Sequence, residues 1–242
     1  MCYNISLLNP SELGIRYDIQ LSSDDPIFNV QPIYYRNAFD LLKYPIITNQ
    51  DSKEINYFTW GLVPYWIKNV NNAKNIQNKT MNARCETLFE KPSFKSVIEK
   101  RRCIIPVDGF FEWRHYDGKN YPYYIYLTDK KIFSIAGIWD VWKNPDTEIE
   151  YYSFSLITCP ANNMMEKIHN KKKRMPVILP KDNENQWIEQ KSSKNKIEMM
   201  LKPYCLNDLQ AHTVSRLITN KNKQRNVSDV IKQFEYPKLP TY

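Results

Sequence analysis

Glycine is scarce in this chain: 242 residues contain only 5. No Gly/Ser-rich linker, internal repeat or low-complexity segment interrupts it. These absences argue against loosely tethered modules, and residues 1–242 read as one domain. No stretch approaches ~18 consecutive apolar residues, and the N-terminus lacks the charged start and apolar run of a secretory signal. No membrane span is expected, and a soluble, cytoplasmic protein is. The five cysteines, at positions 2, 85, 103, 159 and 205, form an odd set without a CxxC pair. That argues against a disulfide framework and a zinc site, so the thiols are expected free; separately, no metal or organic cofactor is expected. No heptad pattern argues for assembly, and a monomer is expected.

What is present is a chain that can bury a substantial core, with 42% hydrophobic and 14% aromatic residues. β-rich runs recur at Ile55–Leu62, Cys103–Trp113, Tyr121–Leu127, Ile132–Trp142 and Tyr151–Thr158, with turn signals at Asp117-Gly118 and Asn144-Pro145-Asp146. Helical patterns cover Ser93–Arg102, Ala161–Ile168, Asn183–Gln190 and Lys194–Lys202. An apolar strand is expected at Val177–Leu179, and an exposed basic loop at Asn220–Arg225. The combination predicts an α+β fold with a curved, barrel-like, mainly antiparallel β core flanked by helices.

Net charge is +8, unevenly placed: residues 1–159 hold 18 basic and 18 acidic side chains, residues 160–242 hold 16 and 8. A basic last third suits a polyanion, nucleic acid being the usual one, although lysines also serve simply to solvate a surface.

Cys2 follows the initiator methionine, and a side chain this small normally permits Met1 to be removed. A terminal cysteine carries an α-amine of pKa ~7.7–8.0 beside a thiol of pKa ~8.5. Such a pair captures aldehydes: the amine forms a Schiff base and the sulfur closes on the imine carbon to give a thiazolidine. The plainer reading is a small packing residue that happens to follow Met1.

Other segments hold groups with two readings each. Glu112, between Phe111 and Trp113, is either an edge-strand carboxylate facing water or a desolvated acid–base group with a raised pKa. Asn82 and Arg84, in Thr80–Thr87, offer an amide and a planar fork suited to phosphate, or ordinary caps and surface pairs, the expectation for Glu86. His169 ends a helix, where the dipole favours an imidazolium, and it precedes the basic run Lys171–Arg174, where acid–base work beside phosphates is the alternative. Trp60 and Trp66 surround Pro64 at a strand end, as core residues or as a platform for unstacked bases.

Taken in order, Met1-Cys2, Phe28–Pro32, Trp60–Pro64, Asn82–Thr87, Cys103–Trp113, Ile168-His169 with Arg174–Pro176, and His212–Arg216 resemble the SRAP family, the SOS-response-associated peptidase-like proteins that shield abasic sites in single-stranded DNA. The resemblance implies a thiazolidine DNA–protein crosslink through Cys2 after Met1 removal, with abasic-site lyase and crosslink-reversal activity in some members. It casts Glu112 as proton shuttle, His169 as the group assisting ring opening of the deoxyribose, and Asn82 as the residue positioning the amine and adduct. It makes Arg84, Arg174, Ser215 and Arg216 phosphate contacts, and Trp60 and Pro32 stacking and wedge elements. Abasic single-stranded DNA is the implied partner, which would bring the protein to the nucleoid.

The chain departs from the pattern in three places. Tyr3 and Asn4 replace the usual Gly-Arg, Asn170 and three lysines stretch the His-x-Arg spacing, and Cys85 stands where a small apolar residue is common. Two rival functions use the same residues differently: a cysteine peptidase or hydrolase built on Cys2, His169 and Glu112, and a non-covalent single-strand binder.

Overall fold

A computed structural model describes residues 2–129, 131–220 and 222–241. Met1, on whose removal the Cys2 reading depends, and Lys221 of the expected basic loop lie outside them. In chain order, strands β1 (Asn4–Leu7) and β2 (Ile33–Asn37) flank helix α1 (Leu13–Tyr17). β3 (Lys43–Thr48), β4 (Asn56–Trp60), α2 (Val70–Gln77) and β5 (Asn82–Arg84) follow. Next come β6 (Arg102–Val107), β7 (Gly109–Tyr116), β8 (Lys119–Leu127), β9 (Phe133–Lys143) and β10 (Glu150–Pro160). The last part holds α3 (Asn163–Ile168), β11 (Arg174–Pro176), β12 (Ile178–Leu179), α4 (Lys181–Trp187), α5 (Lys194–Met200) and β13 (Leu209–Thr213).

The pairing β4-β3-β6-β9-β10 closes on itself, because β10 bonds both β9 and β4. The result is a small five-stranded barrel with a single parallel seam, β4 with β10, and no open edge along the ring. Its strands read as continuous apolar runs because inner side chains fill the barrel while helices cover the outside. Trp187 of α4 is buried and donates its indole N–H to the Cys103 carbonyl at 2.9 Å. A second sheet, ordered β13-β8-β7-β1-β2, packs one face on the barrel, with Phe110, Tyr121, Tyr123 and Ile125 in the main core. Its other face, carrying Tyr35, Phe111 and Tyr124, is covered by Val214, Ile218 and Val230 of the C-terminal segment.

The apolar run at 103–113 is two strands. The chain leaves the barrel at Asp108, whose carboxylate accepts from Leu8 N while its own N–H donates to Ser6 O at 2.9 Å. Gly109 then opens β7, and a Cβ there would lie 2.4 Å from the Tyr124 ring, so only glycine fits. The Asp117-Gly118 signal is a hairpin turn with both residues at positive φ, +47° and +69°.

Helices expected near 161–168, 183–190 and 194–202 correspond to α3, α4 and α5, with Asn162 and Ser193 as N-caps. Ser93–Arg102 is not a helix but a series of turns. Arg102 N donates to Asn49 Oδ1 instead of the Ile98 carbonyl, which the Arg102 guanidinium takes itself, so the i→i−4 ladder is cut.

Candidate active site

β1 pairs antiparallel with β7, Ile5 opposite Phe110 and Ser6 opposite Gly109, which carries the N-terminal end of β1 toward Glu112. Cys2 is buried, its thiol directed to the Asn4 carbonyl at 3.8 Å. Burial, reinforced by the negative charge of nearby Glu112, pushes the thiol pKa up, so the sulfur rests protonated. Glu112 is 4% exposed on the core-facing side of β7, and desolvation raises its carboxyl to about 8. It is therefore largely protonated at neutral pH.

His169 is the C-cap of α3, the helix that packs on β7, and its Nδ1 lies 3.5 Å from Glu112 Oε1. Nδ1 also donates to the Arg174 carbonyl at 2.9 Å, so Nε2 is the bare nitrogen of the neutral ring. Burial holds this imidazole down at about 4, opposing the dipole effect considered from sequence. The inserted residues 170–173 close tightly: Lys173 N donates to His169 O at 2.7 Å, with Lys173 in the left-handed region at φ +49°. Arg174 is thereby returned to His169 despite the longer spacing. Asn170 fastens this turn to β7, accepting from His115 N (2.9 Å) and donating to His115 O (2.8 Å). Sequence reasoning passed over Asn170, because a side-chain amide that imitates a strand neighbour carries no local signature.

β5 and β11 flank β10: Arg84 stands opposite Thr158, and Arg174 two residues farther along, opposite Pro160. Arg174 grips Glu86 with both nitrogens (2.6 and 2.9 Å) and donates to the Thr158 carbonyl (2.7 Å). Its fork is thus engaged within the protein. Arg84 is exposed and forms no ion pair among the described residues. Asn82 is 8% exposed, and neither atom of its amide has a hydrogen-bond partner among the described residues. It shares with Tyr3, the neighbour of Cys2, the wall of a cavity of about 310 Å³.

The remaining residues lie farther out. Trp60, expected as a stacking element, is buried inside the barrel against Phe154 and donates its N–H to Met81 O at 2.8 Å. It has no face open to a base. Exposed aromatic surface in that segment belongs to Tyr65 and Trp66. Pro32 is half-buried, its carbonyl accepting from Asn226. Ser215 caps the turn Arg216–Thr219, and exposed Arg216 lies over the rings of Tyr121 and Tyr236. Asn4 is buried and accepts from Tyr35 Oη and Asn37 Nδ2, both at 2.7 Å, so it builds the sheet instead of meeting a ligand. No group of three or more His, Cys, Asp or Glu among the described residues could hold a metal ion. Nor is any described helix long and apolar enough to cross a membrane.

The fold is shared with solved structures. A crystal structure of a protein from Bacteroides thetaiotaomicron superposes with a TM-score of 0.90 at 38% identity, covering 97% of this chain and 100% of that one. One from Bordetella bronchiseptica has the same fold at 23% identity and a TM-score of 0.74, covering 88% of this chain and all of that one.

Residues 1–221 match the family described as SOS response associated peptidase (SRAP), and the chain belongs to it. "Abasic site processing protein YoqW" of Bacillus subtilis is 37% identical over 177 residues, 72% of this chain and 75% of that protein. "Abasic site processing protein YoaM" of the same organism is 35% identical over 76% of this chain and 79% of its own length. "Abasic site processing protein HMCES" of Xenopus tropicalis is 30% identical over 66% of this chain but only 52% of its own length.

Proposed function

We propose that this protein processes abasic sites in single-stranded DNA, capturing the lesion covalently through Cys2 once Met1 has been removed. The observation that carries the reading is the meeting of Cys2 with Glu112 and His169, a protonated carboxyl and a neutral imidazole 3.5 Å apart. An abasic deoxyribose exists mainly as a cyclic hemiacetal. Opening it requires a proton delivered to the ring oxygen and one removed from the anomeric hydroxyl, and this couple supplies an acid and a base together. The α-amine of Cys2 adds to the freed aldehyde, Glu112 protonates the departing hydroxyl, and water leaves to give the imine. Cys2 Sγ then adds to the imine carbon, its proton passing to the ring nitrogen. The thiazolidine therefore equals protein plus DNA minus one water. Run backwards through the same carboxyl, these steps release the DNA. β-Elimination from the imine would cleave the strand.

The rival hydrolase needs a thiolate beside an imidazolium. The thiol is pushed up and the imidazole held down, both against that pairing. Amine-first capture needs neither charge.

The test is to mix the Met1-processed protein with an oligonucleotide bearing one abasic site and weigh the products under denaturing conditions. The expected result is a heat-stable adduct at the summed mass less one water, absent with Cys2→Ala and with intact DNA. Binding without an adduct would refute covalent capture. An adduct that survives blocking of the α-amine would instead support chemistry through the thiol alone.

A further inference from the structure

Two thiols that take no part in the proposed reaction meet where β5 runs beside β10. The parallel pairing sets Asn82 opposite Leu156, Ala83 opposite Ile157 and Arg84 opposite Thr158. Arg84 keeps an extended backbone, φ −83° and ψ 128°, so the chain advances one further step along β10 and brings Cys85 level with Cys159. Side chains alternate between the two faces of a strand. Ala83 and Cys85 pack on the main core while Arg84 points to solvent. Ile157 and Cys159 turn into that same core, and Thr158 Oγ1 meets the Arg174 guanidinium at 3.2 and 3.3 Å on the other face. Cys85 and Cys159 therefore share one face of adjacent strands.

Neighbouring strands run ~4.8 Å apart, inside the ~4.4–6.8 Å between Cα atoms that a disulfide spans. Cys159 is fully buried, whereas Cys85 is half-buried and open to a small solute. Burial pushes the Cys159 thiol up, and the charge of a Cys85 thiolate pushes it further, as befits electrostatic neighbours. Burial and then the Glu86 charge lift the Cys85 thiol to about 11, against the pull of Arg174. Little thiolate exists at neutral pH, so this sulfur answers to sustained exposure and ignores a brief one.

We propose that Cys85 and Cys159 form a peroxide-responsive dithiol that closes into an internal disulfide and braces the Glu86–Arg174 pair. Peroxide delivers a hydroxyl to Cys85 Sγ, whose own proton leaves with the other oxygen as water, giving a sulfenic acid. Cys159 Sγ then attacks that sulfur, the S–O bond breaks, and the Cys159 proton departs with the hydroxyl as a second water. Two thiols are oxidised and one peroxide is reduced. Exchange with a small thiol reopens the bond. Its mechanical effect follows from position: Cys85 begins the turn Cys85–Thr87, Glu86 of that turn holds the Arg174 fork at 2.6 and 2.9 Å, and the Arg174 carbonyl accepts from His169 Nδ1 at 2.9 Å. A bond to β10 fastens the turn to the barrel and spares the accessible sulfur from irreversible oxidation.

The test treats the full chain with hydrogen peroxide, blocks the remaining thiols with iodoacetamide, and maps the digest by mass spectrometry. The expected product is a linked peptide pair containing Cys85 and Cys159, two hydrogens lighter than its parts and separated by dithiothreitol. Closing the loop from 85 to 159 should also raise the thermal midpoint by roughly 5–15 °C, a gain that dithiothreitol reverses. Cys85→Ser should give neither the linked pair nor the rise, and a melt matching that of reduced wild type would verify that it is folded. Cys85 recovered unoxidised, as a sulfinic or sulfonic acid, or linked to any other cysteine overturns the proposal. So does a Cys85–Cys159 link that leaves the melt unchanged, since a bond that braces nothing is not the device described.

Discussion

Two of the buried polar clusters among the described residues are built on opposite terms. Around α4, Arg16 meets both oxygens of Glu184, which also accepts from Ser134 Oγ, while Tyr17 bonds Ser134 and Arg16 Nε donates to Ile132 O. Charges oppose one another there, and the polar atoms find partners. At Cys2 the same degree of burial is met by suppressing charge: the thiol and Glu112 hold their protons, His169 refuses one, and the Asn82 amide is unpartnered among the described residues. The first arrangement joins α1 and α4 to the barrel strand β9. The second holds groups in their neutral forms, ready to exchange protons with something that arrives, at a cost in stability that the rest of the fold offsets.

Glu112→Gln is the most forceful way to break this contrast. It keeps the shape and removes the exchangeable proton, so the rate of adduct formation should fall by roughly 10²–10⁴, the usual contribution of general acid–base catalysis. The same variant exposes the stored cost. Burial lifts the Glu112 carboxyl from the ordinary 4.5 to about 8, so the folded state binds this proton more tightly than the unfolded state. The stability it contributes is fully present below pH 4.5 and is lost as pH rises through 8. Wild type should therefore weaken relative to Glu112→Gln across that window by on the order of 5 kcal/mol, read from urea midpoints at several pH values. Parallel curves would show that Glu112 is not desolvated.

In the satisfied cluster, Glu184→Ala should act on stability instead of rate. Leaving Arg16 without its counter-charge costs about 3 kcal/mol, measured by denaturant unfolding, while adduct formation by the folded fraction stays at the wild-type rate. The smallest effect sharpens the comparison most. Asn82→Ala removes a buried amide, a change that ordinarily costs 1–3 kcal/mol; with no partner to abandon, it should shift stability by less than about 1 kcal/mol while slowing capture. A large destabilisation would reveal a partner for Asn82 and place it among the structural residues.

Much of this could be read from the chain alone, and the misses share a cause. Long β runs such as Ile132–Trp142 were visible because residue type and periodicity are local properties, and β9 occupies Phe133–Lys143. The division at Asp108 was invisible, since both flanks are equally apolar and the break is made by distant Leu8, Ser6 and Tyr124. Helix α2 escaped notice because Val70–Gln77 is rich in Asn and only Ala73 and Gln77 are buried, too little for an apolar stripe. At the site, Cys2, Asn82, Glu112 and His169 stood out by chemistry. The sense of the His169 shift did not, because burial there outweighs the helix end. Trp60 and Trp66 look alike in sequence, and only closure of the barrel decides that the first is enclosed and the second open.

The turn at 170–173 has a practical reach. It is closed at its base by the bond from Lys173 to His169 and pinned by Asn170 to β7, so the imidazole is held from below while Lys171 and Lys172 project outward. A substitution at Lys171 or Lys172 therefore leaves the position of the imidazole unchanged, although the Lys172 charge itself helps to hold its pKa down. For the same reason it is a natural perch for a fluorophore, close enough to register a strand arriving at the site and mechanically insulated from the chemistry beneath.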